Sequence, residues 1–210
     1  MSGLVSNRWV IVDDASPDIK YIGDSWFPID GSLDVGDFGP PFLSTLHGTN
    51  RSASFTFNFT GRETIEYYDM LKTIVALGPA VRVIGAKHTS VTDPQWACSV
   101  DGNGIDSSNP PFGNAENNLL FCHSDSLMNG SHTLTVDATL VENQTFWFDH
   151  LEYIPSSTVS LENKMILLPR EDPALQFGSA WNNYATKVMG ARFALNFYGT
   201  WSSFYLVSCS

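Results

Sequence analysis

Apolar and polar residues alternate with a period of two through most of this chain. The clearest run is Phe55-Thr56-Phe57-Asn58-Phe59. Such alternation sends every second side chain to a buried face, so the three phenylalanines are expected inward and Thr56 and Asn58 toward solvent. The same pattern predicts strands over 9–12, 19–21, 55–59, 81–84, 96–100, 119–122, 132–136 and 145–153. Turn chemistry separates them at Gly39-Pro40-Pro41, Asp101-Gly102-Asn103-Gly104, Asn109-Pro110-Pro111 and Asn129-Gly130. Many short strands between such turns predict an all-β sandwich or jelly roll. One stretch departs from the pattern. Ile65, Tyr68, Leu71, Ile74 and Val75 recur at helical spacing and Gly78-Pro79 ends the run, which predicts a helical insertion over about 62–80. It reads as a surface insertion or as retained intron sequence translated in frame.

The chain also repeats itself. Val10-Ile11-Val12, Pro17, Ile19 and Tyr21 align without a gap to Ile166-Leu167-Leu168, Pro173, Leu175 and Phe177. Gly23 and Trp26 recur as Gly178 and Trp181. Phe55, Asn58, Phe59 and Gly61 recur as Phe193, Asn196, Phe197 and Gly199. The expected organisation is a sandwich domain over 9–155, a linker over 156–164 beginning at Pro155-Ser156-Ser157-Thr158, and a truncated second copy over 165–210.

Composition narrows the function classes. The 210 residues hold 11 Lys and Arg against 22 Asp and Glu, a net charge of −11. That balance excludes a nucleic-acid partner, which needs clustered cations. No apolar run reaches the roughly 18 residues that span a bilayer. Four glycosylation sequons, at Asn50, Asn58, Asn129 and Asn143, point to the secretory route and a cell-surface or extracellular location. A disulfide between Cys98 and Cys122 is expected for the same compartment, enclosing a Gly/Asn/Pro-rich loop; Cys209 is left over. The run Trp9-Val10-Ile11-Val12 is too short for a signal-peptide core, so the readings, in order, are a leader outside these residues, export directed by a downstream transmembrane segment, or a cytosolic chain.

Several segments together resemble a known group. They are Val10-Ile11-Val12-Asp13-Asp14, Ile19-Lys20-Tyr21-Ile22-Gly23, Leu46-His47-Gly48-Thr49, Phe55 to Gly61, Val81-Arg82-Val83-Ile84-Gly85, Gly130 to Val136 and Phe148-Asp149-His150-Leu151-Glu152-Tyr153. The series is similar to the ectodomains of fungal, mainly basidiomycete, cell-surface proteins. Those carry tandem galactose-binding-like β-sandwich domains before a single transmembrane helix. The resemblance implies a galactose-binding-like jelly roll at the cell surface. By analogy with galactose-binding-like domains in general, it also implies glycan binding, sometimes with a structural calcium ion. The insertion over 62–80 departs from it.

Candidate chemistry is sparse. Gly23-Asp24-Ser25-Trp26 is similar to the nucleophile block of one serine-hydrolase family, but the repeat places Ala180 where Ser25 stands. The only Asp–His neighbours, Asp149 and His150, are expected on opposite faces of a strand. No Cys-x-x-Cys, HExxH or phosphate loop occurs. The chain is therefore expected not to be an enzyme. Asp13, Asp14 and Asp149 converge if the first and last strands lie side by side, and hard oxygen ligands would suit calcium. Sugar recognition needs an aromatic face beside amides and carboxylates. Trp147, Trp96, Asp101, Asn103, Asn117 and Asn118 are the candidates, with the loop 101–118 as the binding surface. The expected partner is a glycan or cell-wall component. The alternative is a structural or adhesion ectodomain with no small ligand, and a secreted hydrolase ranks last.

Overall fold

The computed structural model describes residues 8–30, 36–61, 81–88, 93–109, 114–124, 127–169 and 172–177, and the backbone of 65–68, 73–76 and 193–195. Among these described residues seventeen strands follow one another: β1 (Trp9–Asp13), β2 (Ile19–Ile22), β3 (Trp26–Asp30), β4 (Thr45–Thr49), β5 (Ala53–Gly61), β6 (Ile65–Tyr68), β7 (Thr73–Ala76), β8 (Val81–Lys87), β9 (Gln95–Val100), β10 (Asn103–Gly104), β11 (Asp106–Ser107), β12 (Glu116–Ser124), β13 (Gly130–Thr139), β14 (Phe146–Tyr153), β15 (Met165–Leu167), β16 (Leu175–Phe177) and β17 (Phe193–Leu195). Among the described residues the only helical element is a 3-10 turn at Phe42–Ser44. No described helix is long and apolar enough to cross a membrane.

Two antiparallel sheets carry the core. One runs β11-β12-β8-β14-β1-β15, with β4 paired to β14 and β3 to β4; the other runs β10-β9-β13-β5-β2. Phe55, Phe57 and Phe59 of β5 are buried and Asn58 is exposed, as the alternation requires. They meet Val10, Val83, Phe121, Phe146, Phe148, Leu151 and Tyr153 from the facing sheet. Phe55 and Phe148 pack with ring centroids 4.4 Å apart, and Tyr153 lies between Phe57 and Phe59 at 5.9 and 5.3 Å. The Cys98–Cys122 disulfide joins β9 of one sheet to β12 of the other, with Cα atoms 6.3 Å apart. The fold is thus an all-β sandwich stapled across its layers.

Two features differ from the sequence reading. The segment 62–80 contains no described helix; β6 and β7 form a two-stranded antiparallel sheet, with Ile65 opposite Ala76 and Tyr68 opposite Thr73. Its β-branched and aromatic residues (Ile65, Tyr67, Tyr68, Thr73, Ile74 and Val75) favour strands, and this preference outweighs a helical spacing held over few turns. Strands β3 and β4 were also not foreseen. Pro28 and Gly48 interrupt their patterns, and Pro28 is tolerated because, among the described residues, β3 is an edge strand with β4 as its one partner.

Candidate functional site

A bulge in β14 builds an unexpected ionic cluster. The strand pairs with β8 at Phe148↔Gly85 and next at His150↔Ile84, so Asp149 is an extra residue. The bulge corrects the expectation that Asp149 and His150 point to opposite faces: His150 Nδ1 lies 3.2 Å from Asp149 Oδ1. His150 Nε2 stands 3.7 Å from Glu152 Oε1, and Glu152 also meets the Arg82 guanidinium at 3.3 Å. Burial opposes the charge on His150, but the neighbouring carboxylates of Asp149 and Glu152 outweigh it and hold its pKa up at about 9. Asp149 is fully buried and accepts the Phe42 backbone N–H at 3.1 and 3.2 Å.

Asp13 faces His150 across the β1–β14 pair. Burial raises its pKa to about 6, reinforced by the charges of Asp14 and then Asp149. The three carboxylates expected to converge are therefore close enough to influence one another. Their oxygens are largely engaged elsewhere. Asp14 accepts from the Thr45 hydroxyl at 2.6 Å and lies 2.6 Å from His47 Nδ1, while Asp149 holds Phe42 and His150. Tyr21 stacks on His47 at 4.4 Å and donates to the Asp14 carbonyl. Among the described residues no three His, Cys, Asp or Glu side chains are grouped to hold a metal ion.

The two candidate tryptophans do meet. Ala86, Lys87 and His88 at the end of β8, Asp93 and Pro94 before β9, Asn143 and Thr145 before β14, and Trp96, Phe121, Phe146 and Trp147 line one cleft of about 180 Å³. Trp96 stacks on Phe121 at 4.2 Å and donates its indole N–H to the Phe121 carbonyl. Trp147 leans edge-on against Phe27 at 5.6 Å and over His88 at 5.1 Å. A Cβ on Gly48 would collide with both Trp147 and Phe27, so glycine there gives the indole its seat. Lys87 is buried and salt-bridged to Asp93 at 2.6 Å, with Asn109 Oδ1 a further acceptor at 3.0 Å. The volume is small beside the roughly 300–1,000 Å³ of pockets that engulf a drug-sized ligand. It suits a ring laid against the rim.

The amides and the carboxylate predicted to join these tryptophans do not line this cleft. Asp101 holds His132 Nδ1 at 2.7 Å and the Thr133 N–H at 2.8 Å, and Asn103 turns back to the Asp101 carbonyl. Asn117 is buried and donates to the Gly39 carbonyl, while Asn118 donates to the carbonyls of Phe38, Gly39 and Pro40. These groups brace backbone. Part of the loop is regular, since β10 pairs with β9 and β11 with β12. In their place the cleft takes its polar groups from Lys87, which ends β8, and from His88, Asp93, Asn143 and Thr145, which lie just outside strands. Besides Trp96 and Trp147, the sequon running from Asn143 to Thr145 is the sequence signal that fell there. All four sequon asparagines are exposed. Ser25 bonds Thr49 Oγ1 at 2.8 Å and no described histidine.

No protein-family model matches the chain, and no curated protein is similar to it. Solved structures of similar fold include the catalytic domain of a GH87 alpha-1,3-glucanase in complex with nigerose, at a TM-score of 0.41 and 10% identity. Another is such a domain with an Asp→Ala substitution in complex with tetrasaccharides, at a TM-score of 0.40 and 10% identity. Each match covers 72% of this chain and 29% of the other. The chain thus spans less than a third of the structures it matches. The expectation that this chain is not an enzyme is corrected here, because the solved structures it is similar to are catalytic domains. At this level of similarity no reaction carries over to this chain.

Proposed function

We propose that this chain is a carbohydrate-binding β-sandwich that holds a sugar ring against the Trp147 side of the cleft, as part of an extracellular surface protein. The observation that carries the reading is the convergence of Trp96 and Trp147 on one cleft whose remaining lining mixes an imidazole, a carboxylate, an amide and a hydroxyl. An indole face meets the C–H face of a sugar, and the polar groups answer its hydroxyls. Trp96 is stacked on Phe121, whereas Trp147 meets Phe27 edge-on and His88 only at a tilt, so Trp147 is the stacking residue and Trp96 the wall. His88, Asp93 and Thr145 line the cleft and would choose among hydroxyl orientations.

The test is a panel of neutral oligosaccharides and insoluble wall polysaccharides, read for binding and for released reducing ends. At least one should bind, and Trp147→Ala should weaken it about tenfold or more, while Asn117→Ala and Asp101→Ala keep it at matched folding. Retention of full binding in Trp147→Ala would move the site elsewhere; no binding across the panel would overturn the reading.

A further inference from the structure

Three turn hydrogen bonds of the first repeat recur at equivalent positions of the second. After β1, Ser16 donates to the Asp13 carbonyl, Ile19 to the Ser16 carbonyl, and the Asp18 N–H to the Ser16 side chain. After β15, Asp172 donates to the Pro169 carbonyl, Leu175 to the Asp172 carbonyl, and the Ala174 N–H to the Asp172 side chain. These are the positions that the sequence alignment pairs. Strand β2 meets β5 at Ile19↔Phe57 and Tyr21↔Phe55; β16 meets β17 at Leu175↔Leu195 and Phe177↔Phe193, the same register in repeat-equivalent residues.

The repeats also touch in a symmetric way. Strand β15 pairs with β1 at Trp9↔Leu167, Val10↔Ile166 and Ile11↔Met165. Trp9, Val10 and Ile11 are the repeat equivalents of Met165, Ile166 and Leu167. Exchanging each residue for its equivalent returns the same three pairs, which is the signature of an isologous contact about a local two-fold axis through Val10 and Ile166. Strand β1 lies between β14 and β15, whereas β15 ends the sheet among the described residues.

We propose that the far edge of β15 is the docking edge for a second unit of this same fold, which presents a strand with the β14 pattern to β15 as β14 is presented to β1. The occupant follows from continuity with the β1–β15 pair: the two-fold axis that relates β1 to β15 carries β14 to that far edge. The register follows as well. Strand β1 meets β14 at Val10↔Tyr153 and Ile11↔Glu152, so Ile166 faces the tyrosine of the incoming strand and Leu167 its glutamate. The joint then forms one sheet running through two sandwiches, and β15 has no solvent-facing ladder to template unrelated strands.

A register-specific cross-link tests this. The full 210-residue chain carrying Leu167→Cys and Cys209→Ser is mixed with a peptide of residues 128–155 under mild oxidation. The peptide carries either Glu152→Cys or Leu151→Cys. The Glu152→Cys peptide is expected to give about tenfold more cross-linked product, because a one-residue slip sends the side chain to the other face of the strand. Equal yields from both peptides, or none from either, would overturn the proposal. So would preferential capture of the Glu152→Cys peptide by a chain carrying Ile11→Cys and Cys209→Ser, since the peptide would then have exchanged into the first unit.

Discussion

His150 carries the most displaced charge of the described histidines, and its sign makes stability depend on pH. Its pKa of about 9 stands above the ordinary 6.5, so the charged ring stabilises the fold fully below about pH 6.5, and that contribution is lost as pH rises through about 9. Asp13 acts in the same direction at lower pH. Its raised pKa favours the fold below 3.8, a contribution lost as pH rises through about 6. Unfolding by urea should therefore show stability falling between pH 6.5 and 9, and His150→Gln should be less stable at pH 6 with a flatter slope above it. An unchanged slope in the variant would mean that the imidazolium is not the group responsible. Asn118 makes a second case. It stands at φ 55° and its amide serves three carbonyls of the 38–40 segment, so alanine there both strains the backbone and strands those acceptors. Asn118→Ala should cost roughly 1–3 kcal/mol by thermal denaturation. The sequence offers Asn117 and Asn118 as candidates for sugar recognition. Composition does not say whether an amide faces a ligand or a carbonyl, and here both donate to carbonyls of the 38–40 segment.

At the scale of elements, the alternation read from the sequence survives wherever strands are regular. All eight predicted strands form, and the β5 phenylalanines face inward. It fails where one residue breaks the period. The Asp149 bulge reverses the expected facing of a pair; its trace in the sequence is a one-residue slip of the alternation, from Phe146 and Phe148 to Leu151 and Tyr153, which a strict period of two passes over. The segment 62–80 fails for the opposite reason: its few apolar positions fit either period, and only residue type favours strands. Close packing between elements gives two measurable consequences. A Cβ on Gly85 would strike the Phe121 ring and the Trp147 carbonyl, so Gly85→Ala should destabilise by about 1–3 kcal/mol and disturb the cleft wall. Opening the inter-sheet staple with the double variant Cys98→Ala/Cys122→Ala should cost roughly 3 kcal/mol for a loop of separation 24. The thermal midpoint of the wild type in reductant should fall to that of the variant, and coincident midpoints without reductant would show that the bond does not form.

At the scale of the whole molecule, charge and cleft chemistry point the same way. A net charge of −11 repels polyanions, and the one buried lysine of the cleft is salt-bridged to Asp93. The cleft therefore offers an anionic sugar no net attraction beyond a cation already neutralised, whereas stacking on Trp147 and hydrogen bonds to hydroxyls are indifferent to ionic strength. Long-range repulsion between exposed charges fades once salt shortens the Debye length from about 10 Å at 0.1 M to about 3 Å at 1 M. Affinity for a neutral oligosaccharide should accordingly stay within about twofold across that range, while any uronic-acid or sulfated counterpart should bind more weakly at low salt and recover as salt rises. Isothermal titration at the two ionic strengths reads both outcomes. A neutral ligand that loses affinity steeply with salt would show that the recognising groups are charges held outside this cleft, and that the two tryptophans meet there only to close the end of the sandwich.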